Sequence, residues 1–207
     1  MVRIFTKYGL LLLIIALTSR AFGQIVTEDT TTNEPFFKAT KFNSKCFVAI
    51  EGMGTQILKT SGAMNTGFSL NWVVNHKFVV TAMYYALSTP TNVQHIVEPN
   101  SSSSIRLIHQ FAGLGFGYIF YNNKRFSLQP ELVAGWGGAK FTSSGISYRS
   151  DFGEIIPTVY GIYNATKFFR LGIGLNYRLA IGASLNGLKS ADISGVSGLV
   201  FIRVGTF

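Results

Sequence analysis

The stretch Phe168–Ile181, FFRLGIGLNYRLAI, decides how this chain is read. Every second residue of it, Phe169, Leu171, Ile173, Leu175, Tyr177, Leu179 and Ile181, is large and apolar. The alternate set, Phe168, Arg170, Gly172, Gly174, Asn176, Arg178 and Ala180, is mostly small, polar or cationic. A period of two belongs to a β-strand, whose successive side chains leave opposite faces of the pleat. In a water-soluble barrel the apolar row faces a core and the other row faces water. In a membrane-spanning barrel the apolar row faces lipid, and the glycine and polar row lines a narrow lumen.

Composition favours the second arrangement. Charged residues make up 13% of the 207 residues, aromatic residues 14%, and there are 22 glycines. A soluble surface carries roughly 25–35% charged residues, so this chain is short of charge for a wall bathed in water. A lipocalin-like soluble barrel fills its inside with apolar side chains and puts charge outside. Here the polar-face row contains Gly113, Gly115, Gly117, Gly135, Gly137, Gly172 and Gly174, too small and too sparsely polar for a solvated exterior. The net charge of +9 suits anionic lipid or lipopolysaccharide phosphates at a rim. No basic run is interleaved with stacking aromatics, which argues against nucleic acid as a partner.

The N-terminus reads as a secretory signal over residues 1–23. Arg3 and Lys7 precede the apolar run Gly9–Thr18, which is too short to span a bilayer as a helix, and Ala21-Phe22-Gly23 places small residues before a cut ahead of Gln24. Residues 24–44 are rich in Thr, Asn and acids without periodicity and are expected to be a flexible periplasmic leader. The lone cysteine, Cys46, has no partner for an intrachain disulfide and is read as a wall residue.

Residues 45–207 are expected to form eight strands, Lys45–Gln56, Ala63–Val74, Phe78–Leu87, Ile105–Tyr121, Arg125–Phe141, Glu154–Asn164, Phe168–Ile181 and Ser197–Phe207. Most reach the ~9–11 residues that cross a bilayer at a tilt. Tight connections (75–77, 122–124, 165–167) alternate with long Ser-, Asn- and Gly-rich ones (88–104, 142–153, 182–196). The fold class is therefore an all-β, eight-stranded antiparallel up-and-down transmembrane barrel with both termini on the short-turn side. Folding each hairpin about its turn pairs Phe68 with Tyr84, Gly115 with Glu131, and Glu154 with Arg178.

The cleavable signal, the eight alternating segments and the terminal Phe207 resemble the small outer-membrane β-barrel proteins of Gram-negative bacteria. The wording LGIGLNYRLAIG and RVGTF looks like the Bacteroidota members. The resemblance implies an outer-membrane location and periplasmic termini. It also implies contact with outer-membrane lipid and lipopolysaccharide, and reading of Phe207 by the barrel-assembly machinery. The position two before it is Gly205, not an aromatic.

The most specific constellation is a lumen charge network of Glu51, Glu131, Glu154, Arg170, Arg178 and Arg203, with Arg170 beside Arg203 and Glu154 opposite Arg178. Charges inside so narrow a barrel must be paired and hydrogen-bonded, and a plug that seals the lumen is the expected role. Trp72, Tyr118, Tyr121, Trp136, Tyr163 and Tyr177 are expected to form interfacial girdles. His95, Glu98, Ser101–Ser104 and His109 bring together residue types that hydrolases use, but no nucleophile motif surrounds them, and a solvated loop is expected. No metal-ligand spacing, phosphate loop or cofactor motif occurs. The sequence thus points to a non-enzymatic barrel with a structural or interaction role, with or without an envelope protein partner in a larger complex. A narrow channel and a lipid-modifying enzyme are the alternatives.

Overall fold

The computed structural model describes residues 44–57, 61–89, 91–92, 106–122, 125–143, 146–185 and 188–207. The signal segment, residues 24–43 of the leader, and His95, Glu98 and Ser101–Ser104 lie outside the described residues.

Eight long strands form the wall: β1 (Ser44–Ile57), β2 (Ser61–Val74), β3 (Phe78–Leu87), β4 (Arg106–Tyr118), β5 (Phe126–Ser143), β6 (Ile146–Asn164), β7 (Phe169–Ile181) and β8 (Gly195–Gly205). Each pairs antiparallel with its chain neighbours, and β1 pairs with β8, from Phe47 opposite Gly205 to Thr55 opposite Ser197. The result is a closed eight-stranded antiparallel barrel. Closure leaves no unpaired sheet edge. Pro157 lacks the N–H a ladder needs, and the β6–β7 pairing skips from Ile155 to Thr158 at this point.

The two faces separate as the alternation requires. Leu171, Ile173, Leu175, Tyr177, Leu179 and Ile181 all point outward and are exposed, while Asn176, Arg178 and Ala180 are buried inside. The outward row carries large exposed apolar groups such as Trp136 (78%), Phe116 (72%) and Ile173 (68%). Phe168 departs from the expected row. It sits in the β6–β7 connection and is exposed.

Register follows the turns. Asn75 and His76 adopt left-handed φ values of 52° and 62°, and the Lys77 N–H donates to Val74 O at 3.2 Å. Phe68 is opposite Tyr84 and Asn71 opposite Thr81, as the sequence predicts. The next two hairpins slide by two residues. Gly115 faces Val133, not Glu131, and Glu154 faces Ala180, not Arg178. In the first, Ile119 and Phe120 leave the ladder before Tyr121 pairs with Leu128. In the second, the connection extends through Phe168. A slip of two keeps every side chain on its own face, whereas a slip of one inverts it.

Two of the expected long loops contain regular structure among the described residues. The expected loop 142–153 is instead the continuation of β5 and β6, paired out to Ser143 opposite Ile146. Within 182–196, Ser184–Leu185 pairs with Leu188–Lys189, and a single helical turn, α1 (Ser190–Ile193), follows. The Lys189 N–H donates to Asp192 Oδ2 at 2.8 Å to start that turn.

Candidate functional site in the barrel lumen

The lumen is filled in layers. At the short-turn end Phe47, Val73, Val79 and Ile119 pack together with Phe207 against them. A middle layer includes Met53, Phe111, Val133, Ile156, Tyr160, Leu199 and Phe201. At the mouth Leu107, Phe141, Phe152 and Ala180 meet Ile193 of α1. The glycine row makes these layers fit. A Cβ on Gly172 would lie 2.2 Å from Phe201 Cζ, and one on Gly113 would lie 2.5 Å from Phe111 Cζ. The glycines are therefore the sockets of large side chains, Gly172 for one on the next strand and Gly113 for one on its own strand.

Between the apolar layers run polar groups. Glu51, buried at 2% exposure, accepts from Ser69 Oγ at 3.0 Å and from Tyr85 Oη. Asn71 Nδ2 donates to Ser69 Oγ at 2.9 Å, and Thr81 Oγ1 donates to Asn71 Oδ1 at 2.8 Å. Arg203, 1% exposed, donates from Nη1 to Gln129 Oε1 at 2.8 Å, and Gln129 Nε2 donates to Glu131 Oε2 at 2.7 Å. The Arg203 guanidinium also lies 4.5–5.0 Å from the ring centroids of Phe201, Tyr160 and Phe47. The cation is thus held by π faces and one amide.

Towards the mouth, His109 Nε2 and Glu154 Oε1 are 2.6 Å apart, and the imidazole stacks on Phe152. Arg178 donates from Nε to Ile193 O at 2.9 Å and from Nη2 to Thr55 Oγ1 at 3.2 Å, tying the α1 turn down over the lumen. Ser197 Oγ is 2.8 Å from the same Thr55 hydroxyl.

All six charges of the expected network lie on the lumen face, with Arg170 beside Arg203 as expected, but the carboxylates are partnered differently. Arg170 and Arg203 are opposite in the β7–β8 register. Glu154 is bonded to His109 rather than Arg178, because the two-residue slip puts Ala180 opposite it. Glu131 is linked to Arg203 by hydrogen bonds through Gln129. The two ion pairs seen among the described residues are His109–Glu154 and the exposed Arg149–Asp151. His109, within the expected strand Ile105–Tyr121, is 2% exposed on the lumen face and not part of a solvated loop. The neutral partners Tyr85, Gln129, Ser69 and Thr55 carry no charge signal, and their parity alone marks them as inward-facing.

Phe207 also turns inward. Its ring lies 4.9 Å from that of Phe47, and the Arg170 guanidinium sits 3.8 Å over it. Gly205 (φ 153°) permits this, since a Cβ there would meet Cys46 O and Phe47 Cα at 2.5 Å. Lys45 Nζ donates to Phe207 O. The terminal aromatic therefore stoppers the lumen rather than joining the outward row.

The girdle residues fall at two levels. Trp72, Tyr118 and Tyr163 stand near the short turns, where Tyr118 packs edge-on to Phe78 and Tyr163 packs on Phe126. Trp136 and Tyr177 are exposed towards the mouth. The side chain of Tyr121 lies outside the described part. From Phe126 to Trp136 is ten residues, about 34 Å of strand. At a tilt of roughly 40° that is about 26 Å of height, matching the ~25 Å apolar band of such barrels.

Solved structures share this fold. Neisserial surface protein A (NspA) matches with a TM-score of 0.55 at 14% identity, over 81% of this chain and 98% of that one. Ail, the attachment invasion locus protein of Yersinia pestis, solved with the heparin analogue sucrose octasulfate, matches at 0.50 and 17% identity, over 81% and 99%. No protein-family model and no curated protein matches the chain. Both structural relatives are small eight-stranded outer-membrane β-barrels of Gram-negative bacteria, and the chain is similar to them in fold across nearly their whole length.

Proposed function

We propose that this chain is a non-enzymatic outer-membrane barrel with a structural or interaction role. It stabilises the envelope or presents its loop end, including the extended β5–β6 hairpin, to a ligand or to a partner in a larger envelope complex. One observation carries the reading: a belt of large apolar side chains surrounds a lumen closed by its own residues. Trp136, Phe116 and Ile173 are exposed on the outer face of the barrel, and acyl chains are the solvent that makes such a wall stable. Inside, Phe207, the middle layer and Ile193 fill the bore in turn, which favours a plug over a channel. His109 is packed between Glu154 and Phe152 within the wall, and this favours a structural over a catalytic role. In this reading the signal segment is removed and both termini lie in the periplasm. Phe207 takes part in barrel assembly, and the rims contact lipopolysaccharide.

The test is fractionation of cells expressing the full chain, followed by planar-bilayer recording and native-detergent pulldown. The reading expects outer-membrane recovery, mobility on gels that changes with boiling, and no steady conductance. A stable co-purifying protein would select the complex over the free-standing role. Recovery in the aqueous fraction, or stepwise conductance, would overturn it.

A further inference from the structure

A small cavity lies in the upper half of the lumen, with a volume of about 10 Å³, lined in part by Asn65, Tyr85, His109, Glu154, Asn176 and Arg178. Four of these lining residues carry a buried polar atom with no hydrogen-bond partner among the described residues: Asn65 Oδ1, His109 Nδ1, Glu154 Oε2 and Asn176 Oδ1. Each of the four residues is at least nine-tenths buried. They come from β2, β4, β6 and β7, strands distributed around the barrel, so the residues reach the cavity from several sides. Leaving even one such group unmatched is costly in a low-dielectric interior. Four around one void amount to a built site.

We propose that this cavity binds a single water molecule that bridges the four strands. The volume is that of about one water-sized probe, the smallest cavity that holds a water, and buried waters make about three hydrogen bonds to otherwise unmatched groups. Glu154 Oε2 accepts. A carboxamide presents oxygen or nitrogen according to how it is turned, so Asn65 and Asn176 supply either role. The His109–Glu154 contact needs one proton between Nε2 and Oε1, and the free Nδ1 then accepts from the water or donates to it with the tautomer. A bare cation fits less well, because the Arg178 guanidinium lines the same cavity. The water also joins the two halves of the plug. Tyr85 on the cavity wall donates to Glu51 below, and Arg178 on the same wall holds Ile193 above.

Two measurements test this on the full chain refolded in detergent. A high-resolution crystal structure, with a second crystal soaked in rubidium, should show one density peak 2.7–3.2 Å from at least three of the four atoms. That peak should carry no rubidium anomalous signal. A dry cavity or a rubidium peak overturns the proposal. The second measurement is the urea midpoint of Asn65→Leu. If water is bound, the leucine displaces it and leaves Glu154 and His109 unmatched, and the folded-to-unfolded ratio falls roughly tenfold or more. If the cavity is dry, the same change fills a void and removes an unmatched amide, and the ratio rises. A rise overturns the proposal. A variant that does not fold leaves the crystallographic result to decide.

Discussion

Replacing Gly135 with alanine probes the closed bore. Gly135 faces Gly113 across the β4–β5 ladder. A Cβ at Gly135 would stand 2.1 Å from Ala112 O and 2.5 Å from Gly113 Cα. Both obstructing atoms are backbone, so no rotamer change relieves them, and β4 and β5 must part by about 1 Å to reach ordinary contact. Overpacking of this kind costs about 1–3 kcal/mol, against which the lower chain entropy of alanine in the unfolded state returns about 0.4–1 kcal/mol. The outward-facing control is Gly198→Ala on β8, where an added Cβ meets nothing within 4 Å. That change should be neutral or stabilising by up to about 1 kcal/mol. The assay is urea unfolding of the refolded chain in lysophospholipid micelles, followed by tryptophan fluorescence at fixed lipid concentration. The expected order of midpoints is Gly198→Ala at or above the parent, with Gly135→Ala clearly below. A parent-like Gly135→Ala beside a collapsed Gly198→Ala would refute the assignment of inside and outside.

Further changes test other parts of the account by the same assay. Ile173→Arg places a cation in the middle of the outward row and should cost about 2–4 kcal/mol if that row meets the bilayer centre; a loss under about 0.5 kcal/mol would point to water there. Tyr85→Phe removes a donor to buried Glu51, with an expected loss of about 1–3 kcal/mol, and an unchanged midpoint would mean that Glu51 finds another partner. Phe207→Ala strips the ring from between Phe47 and Arg170. It should lower the midpoint by about 2 kcal/mol, below the range for fully buried phenylalanines because Phe207 is only half-buried. No change in midpoint would show that the stopper does not hold the turn end together.

The wall of the barrel is legible in the sequence because its signal has period two and repeats eight times. The facing of Ile173 against Arg178 follows from counting alone, and the β2–β3 register follows from a short turn at Asn75-His76. The β4–β5 and β6–β7 registers do not, because turn length depends on where the chain leaves the ladder, at Ile119–Phe120 and at Phe168. The continuation of β5 and β6 to Ser143 and Ile146 is hidden because, above the apolar band, the outward residues Lys140, Thr142, Arg149 and Asp151 are polar and read as loop. Charged lumen residues stand out against an apolar chain, whereas Gln129 and Tyr85 do not. Their pairings depend on register, so a shift of two residues replaces an Arg178–Glu154 contact with a His109–Glu154 one. The inward turn of Phe207 depends on Gly205 passing close to Cys46 and Phe47, a contact between the first and last strands that local patterning does not report.

The central claim, that the apolar row meets acyl chains, is tested most directly by the two tryptophans of the chain. Trp72 and Trp136 both lie on the outward face, one near the short turns and one towards the mouth. In bilayers of brominated phospholipid, both should be quenched. Bromines near the headgroup end of the chain should quench more strongly than bromines at its terminus, and aqueous iodide should have little effect. Efficient iodide quenching of Trp136, with no response to bromine at either depth, would contradict the account.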